Sequence, residues 1–241
     1  MATKIAFTTL RADNFEPLFW SAHWQRLERS FTYFTGKSLA GEKDVLKRLQ
    51  KHWQQFPDTI VRLDLCADGS IELNSRALLC RDDEPGIKAR FSSTALLPRE
   101  FPYWLKAGDY SARFEEREKA RGQGCDEIIF CDPQGRVCEA TVSNLIWSDG
   151  EKFYTPKSSD FFLQGITVSL MLEKFPNYFC QADFYPTDVY QAKNAWLVNA
   201  VTGTQRLTEI DHIVFAKRVP QLDLDQLYWE LVKRDRDARH E

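Results

Sequence analysis

The chain has 241 residues, enough for one large domain or two smaller ones that share a substantial core. Hydrophobic residues make up 43% and charged residues 28%, ordinary values for a soluble globular protein. A formal net charge of -3 gives no reason to expect nucleic acid or an anionic membrane as partner. The opening MATKIAFTTLRADNF holds no long apolar stretch, so neither a secretory signal nor a membrane helix is expected, and a cytoplasmic location follows.

Residues 4–10 (KIAFTTL) read as a strand, with 17–20 as its returning hairpin partner. A helix is expected from Ser21, which can cap it, because Trp24, Leu27, Phe31 and Phe34 recur at helical spacing. A second amphipathic helix runs near 42–55 through Val45, Leu46, Leu49 and Trp53. Three strand-like runs follow, TIVRLDLCA, SIELNSRALL and IKARFSS, the first two joined by the hairpin signal Asp68-Gly69. Residues 94–107, with Pro98 and Pro102, read as a connector, and a charged helix is expected over roughly 109–121. Then come IIFCD, a Pro133-Gln134-Gly135 turn, and VCEATVSNLIW as the returning strand. After an Asp149-Gly150 turn come KFYTP, a helix from Ile166 that ends before Pro176, the strand YFCQADF, a proline-initiated turn, the strand AWLVNAV and a C-terminal helix from about Asp223. This alternation predicts an α/β (α+β) chain of two parts, a small α+β domain over 1–100 and a larger domain over 101–241.

The six cysteines (66, 80, 125, 131, 138 and 180) show no C-x-x-C spacing, and the four histidines do not cluster near them, so neither a metal site nor disulfides are expected. Four other features could carry chemistry. Lys106, in Tyr103-Trp104-Leu105-Lys106-Ala107-Gly108, has apolar neighbours, and desolvation frees a lysine amine to attack a carbonyl. Glu139 lies in an apolar strand pattern, where a carboxylate needs a partner such as a protonated heterocyclic nitrogen. Gln164-Gly165-Ile166-Thr167 opens an apolar helix, a start that suits a phosphate, and Arg26 could pair with a phosphate bidentately. Taken singly, each has an ordinary structural explanation: a snorkelling lysine, a surface glutamate, a plain helix start, an exposed helix arginine. Together they supply a Schiff-base amine, a carboxylate for a ring nitrogen and two groups for a phosphate, the parts a pyridoxal 5'-phosphate (PLP) site requires.

The order and spacing of these blocks resemble the class IV aminotransferase family, the PLP enzymes of fold type IV, in the two-domain D-amino acid aminotransferase-like arrangement. The match runs from WLKAGDY through GCDEIIFCDPQGRVCEATVSNLIW and FYTP to LQGITVSLML, with Lys106 and Glu139 33 residues apart as in the family. The resemblance implies that Lys106 is the Schiff-base lysine and proton carrier and that Glu139 holds the pyridine nitrogen protonated. It implies that Arg26, in an "H..RL" motif, and the amides of Ile166 and Thr167 bind the phosphate. Tyr110 would touch the ring oxygen, and Ala200, Val201 and Thr202 would lie in the loop that closes the phosphate site. A homodimer with a small-molecule substrate is also implied. The chain departs from the pattern in Gly165-Ile166-Thr167-Val168, where the family has an arginine fourth, in Gly203-Thr204-Gln205-Arg206-Leu207, and in having six residues before Phe7.

The first motif, Phe7-Thr8-Thr9-Leu10-Arg11, and the run Ser21-Ala22-His23-Trp24-Gln25-Arg26-Leu27 are most similar to the 4-amino-4-deoxychorismate lyases of the family. Many transaminases carry an acidic residue in the first motif; a hydroxyl at Thr8 repels a dicarboxylate substrate less. Thr8 is equally explained as a β-branched strand residue. Arg99, seven residues before Lys106, is a candidate partner for a substrate carboxylate or else a solvated connector arginine. The expected activity is conversion of 4-amino-4-deoxychorismate to 4-aminobenzoate and pyruvate, a folate-precursor reaction. Two alternatives stay open: transamination of branched-chain or D-amino acids, and a non-catalytic binding protein, to which the short start and the missing arginine point.

Overall fold

The computed structural model describes residues 2–78, 86–215 and 222–240. Leu79, at the end of the second strand-like run, and Cys80 lie outside the described residues. The chain divides into two compact units, Met1–Asp82 with Trp104–Gly108 and Arg234–Glu241, and Asp83–Tyr103 with Asp109–Lys233. Lys106, placed by the sequence in the 101–241 part, therefore falls in the first unit. The reason is local: the Lys106 carbonyl accepts the Phe7 backbone N–H at 2.9 Å, fastening this short segment to the N-terminal strand.

The first unit comprises β1 (Lys4–Asp13), β2 (Glu16–Pro17), α1 (Trp20–Thr35), α2 (Glu42–Gln55), β3 (Thr59–Cys66) and β4 (Ile71–Ala77). Its strands form an antiparallel sheet in the order β2-β1-β3-β4. Trp24, Leu27 and Phe31 of α1 and Leu49 and Trp53 of α2 pack with Leu10 and Leu63 of the sheet in one buried cluster. Trp53 is fully buried and donates its indole N–H to the Thr59 carbonyl at 2.9 Å, so it removes apolar area from water without orphaning its polar atom. Helix α1 starts one residue earlier than expected and Ser21 does not cap it. The cap position is Phe19, in the left-handed region at φ 56°, and its N–H is taken by the Asp235 carboxylate at 3.0 Å. No side chain caps the first turn, and the cap residue itself is held by a partner 216 residues away.

The second unit holds β5 (Ile87–Phe91), α3 (Ser111–Arg121), β6 (Glu127–Cys131), β7 (Val137–Ala140), β8 (Asn144–Ser148), β9 (Phe153–Pro156), α4 (Ile166–Lys174), β10 (Phe179–Ala182), α5 (Pro186–Tyr190), β11 (Asn194–Asn199), β12 (Gly203–Ile210), β13 (Ile213–Val214) and α6 (Leu224–His240) as far as Lys233. Its strands run in the order β10-β9-β8-β11-β12-β5-β6-β7, and β7 pairs back onto β8, so the path from β8 to β7 closes into a barrel. Ile129, Val137, Leu145, Leu197 and Leu207 fill one buried cluster of this unit. One expectation is corrected here. The run 137–147 is not one strand: it reverses at 141–143, where the Ala140 N–H bonds the Ser143 carbonyl at 2.8 Å, and Glu139 pairs opposite Asn144. Residues 203–207, a departure from the family pattern, open strand β12, which folds back on β11 as an antiparallel hairpin with Gly203 opposite Asn199 and runs parallel to β5 from Leu207 on.

Candidate active site

In the first unit Lys106 sits between Leu105, fully buried, and Ala107, 8% exposed. Its Nζ lies 5.3 Å from the centroid of the Phe7 ring, close enough for a cation–π attraction that keeps the stem from swinging free. The next residue on β1, Thr8, is wholly buried, and its Oγ1 is 2.6 Å from Nδ1 of His23 on α1. Burial, then the positive charges of Arg26 and Lys106, hold the His23 pKa well below the usual imidazole value, so the ring is neutral at pH 7. His23 thus marks where Arg26 and Lys106 come near one another. Its Nε2 is buried and has no hydrogen-bond partner among the described residues.

In the second unit Glu139 projects from β7 with its side chain 6% exposed. Burial raises its pKa, and the Arg113 and Arg99 guanidiniums oppose that rise. Arg113, on α3, donates to Oε1 at 2.6 Å, and the Leu163 N–H reaches the same oxygen at 3.3 Å. Directly opposite Glu139, Asn144 donates to the Leu163 carbonyl at 2.9 Å and accepts the Gly165 N–H at 2.8 Å. A side chain at Gly165 would overlap the Asn144 oxygen, so the glycine is required for close approach rather than for its backbone angles.

This bond anchors the start of α4, where the amides of Ile166 and Thr167 precede any intrahelical acceptor. The network continues through the adjacent residue: Ser143 accepts from Asn199 at 2.9 Å, and the Asn199 side-chain oxygen takes the amides of Val201 and Thr202, each at 2.8 Å. Glu139, the N-terminus of α4 and the turn at 199–202 are thereby tied to one reversal between β7 and β8. Three buried hydroxyl oxygens of this unit, on Thr141, Thr167 and Thr202, have no hydrogen-bond partner among the described residues. A buried unpaired hydroxyl costs about 1–3 kcal/mol, and a bound anion would satisfy several of them.

The predicted residues fall into two groups. Lys106, Arg26 and Thr8 share the surroundings of His23. Glu139, Ile166, Thr167, Ala200, Val201 and Thr202 share the Asn144–Asn199 network. Three placements differ from expectation. Thr8 is sealed and bonded to His23, so it offers no surface to a substrate. The Val201 and Thr202 amides are spent on Asn199, leaving the Thr202 hydroxyl. Arg99 points Nη1 at the Tyr103 carbonyl, 3.3 Å away, and bears on Glu139 through its charge. The Tyr110 ring lies 5.2 Å from the Arg113 guanidinium carbon. Sequence reading missed Arg113, Asn144, Ser143, Asn199 and the Thr8–His23 pair. Of these, the asparagine five residues after Glu139 alone had a signal, as a fixed element of the recognised block.

The amino-transferase class IV family model matches residues 5–210. Among curated proteins, a candidate branched-chain-amino-acid aminotransferase of Rickettsia felis is 30% identical over 78 residues, 32% of this chain and 27% of that protein. The aminodeoxychorismate lyase of Bacillus subtilis is 23% identical over 122 residues, 49% of this chain and 42% of that protein. The matched stretches thus span less than half the length of these relatives. A candidate 4-amino-4-deoxychorismate lyase from Legionella pneumophila superposes with a TM-score of 0.79 at 20% identity, covering 95% of this chain and 90% of its own. A hypothetical aminotransferase from Mycobacterium tuberculosis, in its PLP-bound form, gives 0.74 at 18% identity over 95% and 87%. At these identities the superpositions establish the fold.

Proposed function

The chain belongs to the class IV aminotransferase family, whose cofactor is PLP, and on that premise we propose that it is a lyase releasing 4-aminobenzoate and pyruvate from 4-amino-4-deoxychorismate. The residues fit the cofactor. Glu139 has two donors on one carboxylate oxygen, which leaves the other for a ring N–H. The unpartnered hydroxyls of Thr167 and Thr202, with the first amides of α4, suit a phosphate. When bound, the cofactor supplies an electron sink for the carbon that bears the substrate amine.

The roles of the chain's own groups follow. Lys106 Nζ would hold the cofactor covalently and, as a free amine, would take the proton from the amine-bearing carbon of the substrate. The same nitrogen returns a proton to the departing three-carbon unit, which leaves as pyruvate while the ring aromatises. Glu139 keeps the ring nitrogen protonated. Arg26 in the first unit and, separately, the start of α4 in the second each carry groups that suit a phosphate.

One observation carries the choice of a dianionic substrate. Where many transaminases of the family have an acid in the first motif, this chain has Thr8 bonded to a neutral His23, so no carboxylate there repels a dicarboxylate substrate. A homodimer and a cytoplasmic location belong to the same proposal; among the described residues no helix is long and apolar enough to cross a membrane. The test is to incubate the PLP-loaded protein with 4-amino-4-deoxychorismate and follow 4-aminobenzoate by fluorescence and pyruvate by a coupled dehydrogenase. Equimolar release is expected. No release, with transamination of a branched-chain or D-amino acid instead, overturns the lyase and favours the aminotransferase reading.

A further inference from the structure

We propose that Arg113 is a positioning residue that holds Glu139 as an anion with one carboxylate oxygen turned to the cofactor's ring nitrogen. This rests on the reading of Glu139 as the ring partner. Arg113 leaves the first turn of α3 and reaches Glu139 Oε1 at 2.6 Å, with the two side chains 16% and 6% exposed. Its guanidinium carbon lies 5.2 Å from the Tyr110 ring centroid and 5.7 Å from that of Phe130, so aromatic faces confine it. The Leu163 amide bonds the same oxygen at 3.3 Å. Among the described residues Oε2 accepts no hydrogen bond, and two donors on Oε1 fix which way it points.

A carboxylate this deep tends to take up a proton rather than stay charged without a counterion. A protonated carboxyl cannot stabilise a pyridinium, so the site needs a built-in cation before the cofactor arrives. The cations acting on Glu139 are Arg113 from α3 and Arg99 from the connector. Its neighbour Cys138 on the same strand is kept protonated by burial. The next ion pair between α3 and β6, Arg117 with Glu127 at 3.5 Å, satisfies its own carboxylate. Arg113 is the cation in direct contact. It also lowers the basicity of Glu139, which lets the proton rest on the ring rather than on the carboxyl.

The experiment uses cofactor-free protein carrying carbon-13 in its glutamate carboxyls, with the Glu139 resonance assigned by its absence in Glu139→Gln. The midpoint of its titration is expected to rise by at least about one pH unit in Arg113→Met, to rise similarly in Arg113→Gln, and to return most of the way in Arg113→Lys. An unmoved midpoint in whichever neutral variant folds overturns the proposal. A second readout is the affinity and visible absorbance of added PLP. Both should change in Arg113→Met and Glu139→Gln and recover in Arg113→Lys. If Glu139→Gln binds PLP with wild-type affinity and spectrum, the ring-nitrogen assignment of Glu139 fails, while the carboxyl titration separately decides what Arg113 does.

Discussion

Gly165 donates its backbone N–H to the Asn144 side chain at 2.8 Å, and the approach is too close for any side chain at position 165. The bond joins the β7–β8 reversal, where Glu139 sits, to the helix start proposed to take the phosphate. Gly165→Ala is expected to push the two apart and leave a buried amide oxygen without its donor. The stability cost is about 1–3 kcal/mol, and PLP affinity should fall by roughly tenfold or more, since 1.4 kcal/mol is a factor of ten. Thermal unfolding and a spectroscopic PLP titration check both; wild-type PLP affinity in the folded variant would remove this contact from the phosphate site.

His23 should make stability fall in mild acid. Its folded pKa is lowered, so below about 6.5 the unfolded chain takes up a proton that the folded chain refuses. The contribution is complete above that pH and is lost as pH drops toward the folded value. The slope from one such group is at most about 1.4 kcal/mol per pH unit. Carboxylates add their own acid dependence, so the measurement is the difference between wild type and His23→Gln in denaturant unfolding from pH 7 to 5. Parallel curves would mean that His23 titrates in the folded state. Thr8→Val should cost about 1–3 kcal/mol by orphaning the ring nitrogen.

Lys106→Ala should abolish covalent attachment of PLP. Borohydride reduction followed by peptide mapping is expected to find the cofactor on Lys106 in wild type and on no lysine in the variant. Turnover should drop by on the order of 10²–10⁴, the usual worth of a positioned acid–base group. Glu139→Gln should still take up PLP, more weakly, because Lys106 and the phosphate contacts are untouched, and turn over roughly 10²–10³-fold more slowly for want of an anion opposite the ring nitrogen. Normal turnover in the Gln variant would reject the role given to Glu139.

Elements set by local pattern are legible in the sequence, and contacts that depend on distant partners are not. Lys106 and Glu139 are ordinary taken singly and are picked out by their separation within a recognisable order of blocks. The helices α1 and α2 announce themselves through the period of Trp24, Leu27 and Phe31 and of Val45, Leu49 and Trp53. Arg113 looked like any cation of the charged run SARFEEREKAR, because nothing in that segment tells that its first turn covers a buried carboxylate 26 residues on. Ser143 and Asn199 are 56 residues apart, and Phe19 donates its N–H to a carboxylate 216 residues away. The reversal at 141–143 was hidden for a related reason: polar Ser143 and Asn144 gain side-chain partners that offset the ladder bonds lost by breaking the strand.

Arg99 offers two opposed outcomes. Its backbone N–H is fixed to the Asp160 carbonyl at 2.7 Å and its guanidinium to the Tyr103 carbonyl at 3.3 Å, while its charge lowers the Glu139 pKa. If it recruits a substrate carboxylate, the Tyr103 carbonyl is a weak resting partner that a charged group displaces. Arg99→Ala should then raise KM for 4-amino-4-deoxychorismate by roughly ten- to a hundredfold, the worth of a charge-assisted bond of about 1.5–3 kcal/mol. PLP affinity and kcat would stay near wild type. Arg99→Lys should recover part of the loss, since the charge survives without the planar fork. If Arg99 acts through Glu139 instead, its removal shifts the pH midpoint of kcat and weakens PLP binding while KM holds. Steady-state kinetics across pH 6–9 with a parallel PLP titration separate the two, and an unchanged KM excludes Arg99 from substrate recognition.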